Sequence, residues 1–244
     1  RVEICRKAKP SMTTVAVIPI KQLSGAKQRL AGVLQADERQ ALFKCMVEDV
    51  LTSVEACSYI DEIWVVTQDA AVAELCQPYA VTIVPEPAGS GLIAAMTHAA
   101  GLLAEKGVDN LVFLPADLPL LTTAELDIVL DGFTAQGKPG ICIVPAEDLG
   151  GSNCVVCSPP DCLPFGFGVD SFRRHLGIAR KNDIEPIVLK LPGIGLDIDT
   201  PEDLWVMLER LALTGVESHT YLCCQELAVT EKLQASFSEE AKRL

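Results

Sequence analysis

The feature that most constrains the fold is a regular alternation of short apolar runs with longer segments that have apolar residues at helical spacing. The predicted strands cover residues 13–20, 62–67, 80–85, 110–115, 140–146 and 184–192, and predicted helices cover 36–57, 90–107 and the segment after 122. Strands that are apolar throughout are typical of a sheet buried on both faces. The pattern therefore predicts an α/β fold, a three-layer α/β/α sandwich around a mostly parallel sheet.

The chain divides into three predicted regions. Residues 1–12 read as an N-terminal extension or tag remnant, 13–213 as a single domain, and 214–244 as a polar, helical tail. Two helix starts are marked by capping residues. Asp37 with Gln40 resembles a capping box, and Thr200 followed by Pro201 is typical of a first helical turn.

The composition excludes several classes of protein. A net charge of −13 argues against a protein that coats nucleic acid, which normally presents a basic face. No apolar run reaches the roughly 18 residues that span a bilayer, and the first residues lack the apolar centre of a signal peptide. The cytoplasm is therefore the expected location, with no membrane partner, and the sequence leaves a homodimer open.

The ten cysteines are scattered through apolar segments, which is typical of reduced thiols in a core. Cys154, Cys157 and Cys162 raise a zinc hypothesis. However, Cys154 and Cys157 are three residues apart on a predicted strand, so their side chains should face opposite sides of the sheet. Buried thiols are the preferred interpretation.

Polar residues follow the predicted strands at the points where the strands end. Lys21, Thr67, Asp69, Glu86 and Asp117 each come after one of the first four strands. Ligands of such sheets bind in the crevice outside the carboxyl ends of the strands, so one crevice could hold all five side chains. Asp117 stands out because its surroundings, "FLPADLPLL", offer no partner, and an unpaired buried carboxylate is costly.

Three acids form the predicted metal site. Asp197 and Asp199 are two residues apart on an extended segment, so they point the same way and could join Asp117 in holding Mg²⁺, which prefers oxygen ligands and substrate phosphates. Asp199 also has a simpler interpretation as an acid beside a helix start. The partner expected for Asp117 is a magnesium ion rather than a side chain.

Two further segments are typical of anion binding. The loop after the first strand carries Ser24, Gly25, Lys27 and Arg29, which suits a triphosphate but lacks the spacing of a P-loop. A solvated basic turn is the simpler alternative.

The second segment begins at residue 150 and is read as an insertion that builds a substrate lip rather than another regular unit. Gly150, Gly151 and Ser152 offer one donor-rich turn, and Gly168 and Ser171 offer another at the start of a helix. Two ordinary glycine turns are the alternative.

Taken in order, the stretches "VIPIKQLSGAKQRL", "ERQALFKCMVEDVL", "FLPADLPLL", "GGSN", "FGVDSFRRH" and "LDIDTPEDL" resemble the 2-phospho-L-lactate guanylyltransferases of deazaflavin coenzyme F-420 biosynthesis. The resemblance covers nearly all of 15–210. It implies a nucleotidyltransferase fold of the α/β/α type. It also implies transfer of GMP from GTP to the phosphate of a small phosphorylated carboxylic acid, with release of pyrophosphate.

The resemblance also implies roles for single residues. Asp117, Asp197 and Asp199 match the metal-binding acids, and Lys27 with Asp117 would be catalytic. Nucleotide contacts fall to Lys21, Lys27, Arg29 and Gly91, and acceptor contacts to Ser152, Gly168 and Ser171. Ser152 stands where the family usually has threonine, and Ile93 stands where an asparagine is expected, which leaves nucleotide choice open. The acceptor also stays open among 2-phospho-L-lactate, phosphoenolpyruvate and 3-phospho-D-glycerate.

Two other functions fit the same residues. One is a related nucleotidyltransferase that acts on another small phosphate or sugar phosphate. The other is a non-catalytic nucleotide-binding protein, which Ile93 makes conceivable. The three acids argue against a pure binder, because a protein that only binds an anion has no need of carboxylates facing it.

Overall fold

The computed structural model describes residues 12–87, 91–134 and 139–242, so most of the predicted N-terminal extension lies outside the described residues. The strands are β1 (Thr14–Pro19), β2 (Glu62–Val66), β3 (Val81–Val84), β4 (Asn110–Phe113), β5 (Gly140–Pro145), β6 (Ser152–Ser158) and β7 (Ile187–Val188). The helices are α1 (Ala36–Glu55), α2 (Ala70–Leu75), α3 (Leu92–Glu105), α4 (Thr123–Thr134), α5 (Ser171–Lys181), α6 (Pro201–Thr214), α7 (His219–Glu226) and α8 (Val229–Ala241). A short 3-10 helix covers Gln28–Gly32.

These strands form one mixed sheet in the order β3-β2-β1-β4-β6-β5-β7. Strands β1 to β4 are mutually parallel, and β7 is parallel to β5, whereas β6 runs antiparallel to both of its neighbours. The predicted α/β fold with a mostly parallel sheet is confirmed. The interpretation of residue 150 onward as a lip is wrong for 152–158, because this run is buried as a strand between β4 and β5.

Two apolar cores lie on the two faces of the sheet, which makes the three layers. Ala16 and Ile18 of β1 pack with α1, α2 and α4, whereas Val15 and Val17 pack with α3 and α5. The alternation follows from the two-residue period of a strand. Cys154 lies in the first core and Cys157 in the second, so the prediction that these thiols face opposite sides is confirmed.

A third apolar cluster covers the side of α1 that faces away from the sheet. Leu42 and Met46 of α1 pack there with Met207 of α6 and with Cys224 and Leu233 of the last two helices. The C-terminal segment is therefore helical, and it buries residues against the domain rather than projecting from it. The boundary predicted at 213 stays a prediction.

Helix starts are partly as predicted. Thr200 caps α6, since its side chain accepts the N–H of Asp203, and Pro201 stands in the first turn. The capping box predicted at Asp37 and Gln40 is wrong: α1 begins at Ala36, and the Glu38 carboxylate accepts the N–H of Gln35 instead. Among the described helices, none is both long and apolar enough to cross a bilayer.

Asp49 joins α7 to α1. Its buried carboxylate accepts the N–H groups of His219 at 2.8 Å and Thr220 at 2.9 Å. These are orphan donors at a helix N-terminus, which a carboxylate satisfies well.

We expect Asp49→Asn to lower the free energy of unfolding by about 1–3 kcal/mol, because the substitution replaces one acceptor oxygen by an amide that faces an N–H group. Urea unfolding followed by circular dichroism measures the change. Glu226→Gln, which alters an exposed acid of the same helix, is the control. Equal stability of the two variants would contradict this role of Asp49.

Candidate active site

The sheet brings the predicted site residues to one edge. Asp117 follows β4, and in the antiparallel pairing Phe113 of β4 lies opposite Val155 of β6. The start of β6 therefore lies at the same edge as the end of β4, which places Ser152 and Asn153 beside the segment that carries Asp117. The segment 191–199 follows β7, which is parallel to β5 and leads to that edge as well.

The loop after β1 is shaped to present Lys27. Gly25 and Lys27 both have positive φ, of 72° and 55°. A left-handed backbone at lysine costs roughly 1–2 kcal/mol, so the surrounding contacts must hold it. One of them is the Asp69 carboxylate, which accepts the N–H of Leu23 at 3.0 Å and also caps α2 through Ala71. Asp69 thus fixes the loop rather than facing the crevice.

The Lys27 ammonium links two acids from distant parts of the chain. Its Nζ lies 2.6 Å from Asp117 Oδ2 and 3.0 Å from Asp199 Oδ1, and its side chain is 5% exposed. The ring of Phe43 in α1 lies 5.7 Å from the same atom. Arg29 reaches Asp199 from the solvent side, at 3.3 Å. The expectation that no side chain pairs with Asp117 is therefore wrong.

Electrostatics keep this group charged. Burial alone would lower the pKa of Lys27, but the carboxylates of Asp117 and Asp199 outweigh burial, and the pKa is raised above its ordinary value. Asp117 Oδ1 is buried without a hydrogen-bond partner. A buried carboxylate oxygen without a donor is a favourable position for a further cation.

Asp197 lies beside this cluster but has a different partner. Its Oδ1 accepts a hydrogen bond from Asn153 Nδ2 at 3.0 Å. Burial raises the pKa of the Asp197 carboxyl, Asn153 opposes that shift, and the charges of Asp117 and Asp199 add to it. Over the described ranges, no three His, Cys, Asp or Glu side chains stand close enough to hold one ion. The role of the three acids as metal ligands stays a prediction.

The predicted acceptor residues contact each other. The N–H of Ser152 donates to Ser171 Oγ at 2.9 Å, and Ser152 Oγ lies 3.0 Å from Nδ1 of His175. The Nε2 atom of the same ring accepts the N–H of Gly166 at 2.9 Å. The backbone N–H of Ser152 is therefore engaged inside the protein, and its hydroxyl accepts the Nδ1–H of the neutral imidazole, so these contacts tie β6 to the start of α5. The acceptor role of Ser152, Gly168 and Ser171 stays a prediction.

A cavity of about 780 Å³ joins the predicted nucleotide and acceptor sides. Gly91 at the start of α3 lines one wall, with Ile93, and Gly168 lines the other, with Phe167. A smaller cavity of about 350 Å³ is lined by Arg29, Asp197 and Asp199 among others. Lys21 is exposed in the loop after β1.

Three functional candidates were not predicted from the sequence. Asn153 and His175 end the stretches "GGSN" and "FGVDSFRRH", but their burial and their contacts with Asp197 and Ser152 depend on residues far along the chain. Arg174 extends its guanidinium to within 3.4 Å of the Phe167 carbonyl oxygen, beside Gly168. Its place near the helix start is visible in the sequence, but its contacts with Phe167 and Gly168, two residues that line the cavity, are not.

Comparison with known proteins agrees with this geometry. A family model described as "Guanylyl transferase CofC like" matches residues 14–243. The chain belongs to this family. The prediction from the six sequence stretches is thereby confirmed, and the match extends over the C-terminal helices as well.

Curated relatives of similar length support the assignment. The phosphoenolpyruvate guanylyltransferase of Conexibacter woesei is 33% identical over 86% of this chain and 94% of that protein. The enzyme of the same name from Sphaerobacter thermophilus is 35% identical over 79% of this chain and 91% of that protein. A 3-phospho-D-glycerate guanylyltransferase from Colwellia psychrerythraea is 33% identical over 83% and 92%.

Solved structures confirm the fold. A putative nucleotide-diphospho-sugar transferase from Desulfovibrio desulfuricans has a TM-score of 0.74 at 20% identity, covering 92% of this chain and 99% of that one. A nucleotidyl transferase from Methanothermobacter has a TM-score of 0.59 at 16% identity, covering 83% and 99%. Together with the family match, this makes the protein a nucleotidyltransferase.

His175 gives the site a pH dependence of stability. Burial lowers the pKa of this imidazole to about 4, whereas a histidine in the unfolded chain has a pKa of about 6.5. The unfolded chain therefore binds more protons between these values, so stability is complete above the unfolded pKa and falls as the pH drops toward 4.

Between pH 7 and pH 5 we expect the wild type to lose roughly 2 kcal/mol relative to His175→Gln, whose amide stays neutral. Urea unfolding of both proteins at the two pH values measures the difference. The control is His98→Gln, because His98 is exposed. A His175→Gln variant with the same pH dependence as the wild type would contradict the buried neutral imidazole.

Proposed function

We propose that this protein transfers the guanylyl group of GTP to the phosphate of a small phosphorylated carboxylic acid, with release of pyrophosphate, in coenzyme F-420 biosynthesis. The family match and the names of the relatives support this activity. Phosphoenolpyruvate is the first acceptor to test, because the relatives from Conexibacter woesei and Sphaerobacter thermophilus carry that name. The observation that carries the proposal is the Lys27 ammonium held between Asp117 and Asp199 at the ligand edge of the sheet.

The basic residues of the β1 loop are suited to the triphosphate. Lys27 is charged and oriented by two acids, while Lys21 and Arg29 are exposed beside it. Transfer of a nucleotidyl group needs mainly positioning of the reacting oxygen and neutralisation of charge on the phosphates. In a chain with a net charge of −13, the exposed Lys21 and Arg29 offer a GTP tail positive charge at this edge.

The acids fit a magnesium ion that arrives with the nucleotide. Mg²⁺ is usually held by one or two carboxylates together with substrate phosphates, so Asp117 and Asp199 are sufficient protein ligands, with Asp197 close by. The free Oδ1 atom of Asp117 supports this assignment, as does the fact that a cationic group already occupies the space between the two carboxylates. The ion would neutralise charge that develops on the reacting phosphate.

The acceptor side is formed by the start of α5. Ser152 and Ser171 fix the position of that helix relative to β6, and Gly168, with φ of 108°, leaves space next to the Arg174 guanidinium. Arginine is the side chain best suited to carboxylate and phosphate groups. We assign Arg174 and the N–H groups at the helix start to the anionic groups of the acceptor, with Ser152 and Ser171 supporting them.

The decisive experiment incubates the purified protein with GTP, Mg²⁺ and, in separate reactions, phosphoenolpyruvate, 3-phospho-D-glycerate or 2-phospho-L-lactate. We expect pyrophosphate release that depends on both GTP and one acceptor, and a guanylylated product by mass spectrometry. Binding of GTP without release from any acceptor would favour a non-catalytic nucleotide-binding protein. Release with ATP or CTP but not GTP would overturn the guanylyl assignment alone, and would identify Ile93 as a residue to examine.

Lys27 and a divalent cation should compete for the same carboxylates. We expect Lys27→Gln to bind Mn²⁺ more tightly than the wild type in the absence of nucleotide, because the ammonium no longer neutralises Asp117 and Asp199. Turnover should fall in the same variant, since the triphosphate loses a cation.

Electron paramagnetic resonance of free Mn²⁺ measures the affinity. Lys106→Gln is the matched control, because Lys106 also lies over an aromatic ring, that of Trp64, but contacts no acid of the site. Unchanged or weaker Mn²⁺ binding by Lys27→Gln would contradict the competition.

A further inference from the structure

A buried acid outside the site connects the two loops that carry the site carboxylates. Glu125 lies in α4 and is 8% exposed. Its carboxylate accepts the N–H of Gly193 at 2.8 Å and the N–H of Ile194 at 3.1 Å. Two adjacent backbone donors on one carboxylate fix both the position and the direction of the segment that leads to Asp197 and Asp199.

Gly193 is required at the point where the two loops meet. A Cβ atom built there would lie 2.2 Å from the Leu120 carbonyl oxygen and 2.3 Å from Glu125 Oε2. Leu120 belongs to the loop after β4 that carries Asp117. The contact with Glu125 therefore holds the segment that carries Asp197 and Asp199 directly against the loop that carries Asp117. There is no space for a side chain between them.

The connection continues from this contact to the acids themselves. The Ile194 carbonyl oxygen accepts a hydrogen bond from Asn153 Nδ2 at 3.0 Å, and the same nitrogen donates to Asp197 Oδ1. The N–H of Ile198 donates to the Asp117 carbonyl oxygen at 3.2 Å. Glu125, Ile194, Asn153 and Asp197 thus form one continuous chain of hydrogen bonds, and each link after Glu125 depends on where the 193–194 backbone lies.

We propose that Glu125 is a positioning residue for the reaction, which sets the spacing of Asp197 and Asp199 from Asp117 through the backbone of Gly193 and Ile194. The inference rests on the proposed function, in which those acids handle GTP and its metal ion. Some residues orient metal-binding carboxylates without contacting the metal ion. Their substitution typically changes metal affinity or turnover by roughly 10–100-fold.

The fold supplies an unusually close control. Asp49 is also 8% exposed and also accepts two consecutive backbone N–H groups, at 2.8 and 2.9 Å, but it holds α7 rather than the acid segment. Asp49→Asn and Glu125→Gln make the same chemical change to the same type of contact. A purely structural role predicts that both variants lose stability and that neither changes the chemistry of the folded protein.

The test compares the wild type, Glu125→Gln and Asp49→Asn at a temperature at which unfolding curves show all three to be folded. We expect Glu125→Gln to weaken Mn²⁺ binding in the presence of GTP by roughly tenfold or more, and to lower kcat by roughly 10–100-fold. The KM for the acceptor should change less than kcat, because in the described part of the chain α5 makes no direct hydrogen bond to residues 191–199 and is connected to them only through β6. Asp49→Asn should keep Mn²⁺ affinity and kcat close to those of the wild type.

A second variant tests the contact from the other side. Gly193→Ala leaves Glu125 intact but forces apart the loops of Asp117 and Asp199, so it should reproduce the loss of Mn²⁺ affinity and kcat. Glu125→Asp, which keeps the carboxylate on a shorter side chain, should recover part of the loss that Glu125→Gln shows.

The outcomes separate the two proposals. Equal Mn²⁺ affinity and kcat in Glu125→Gln and Asp49→Asn would overturn the positioning role while leaving the guanylyl activity of the wild type untouched. A wild type without pyrophosphate release from any acceptor would overturn the proposed function, and the Mn²⁺ titrations would still decide the role of Glu125. A wild type that binds neither GTP nor Mn²⁺ would overturn both.

Discussion

The contact between the Lys27 ammonium and the carboxylates of Asp117 and Asp199 determines how the rest of the site is arranged. The three residues come from three loops, and the hydrogen bonds span 90 and 172 positions along the chain. A buried charge is tolerated only when it is paired, so removal of any one member leaves the others costly to bury. The left-handed backbone of Lys27 and the hydrogen bond from the Leu23 N–H to Asp69 both position this ammonium group. The same contact gives the acid-rich edge of an acidic protein a place where positive charge is stable.

Much of the fold could be predicted because its signals are local. The strands β1 to β5 follow from short continuous apolar runs, the helices α1 and α3 from apolar residues at helical spacing, and the start of α6 from its capping residues, all of which are signals over a few neighbouring positions. Only the middle of β6, the run from Cys154 to Cys157, is predicted as strand, because glycines and prolines flank this short apolar run and because no helix precedes it as in the other units. The capping box was assigned to Asp37 and Gln40 although the chain uses Gln35 and Glu38, an error of the size expected when several polar residues compete at one helix start.

Only part of the site could be predicted, because the sequence signals are local and most contacts within the site are not. The sequence marks Asp117, Lys27 and Asp199 as charged residues at strand or helix ends, but their mutual pairing depends on strand order, which no local pattern contains. Ser152 was read as a free donor, whereas its hydroxyl contacts His175, 23 positions away. Glu125 gives no signal, and Asn153 appears only within the stretch "GGSN", because a buried polar residue differs from an exposed one only in its tertiary contacts. The family resemblance predicts the function from the six motifs alone, without knowledge of how the fold arranges them in space.

The antiparallel direction of β6 affects how the acceptor specificity of such an enzyme could evolve. A parallel strand in that place would bring its last residues to the ligand edge and would need a helical crossover to reach the next strand. Strand β6 brings its first residues there instead, directly after the tight connection from β5. The connection 146–151 can therefore be exchanged without lengthening a helix or shifting a layer, provided that Ser152 and Asn153 of β6 keep their contacts. Divergence toward a new acceptor would be easiest at this connection, since it borders the acids and α5 while the core beneath it stays intact.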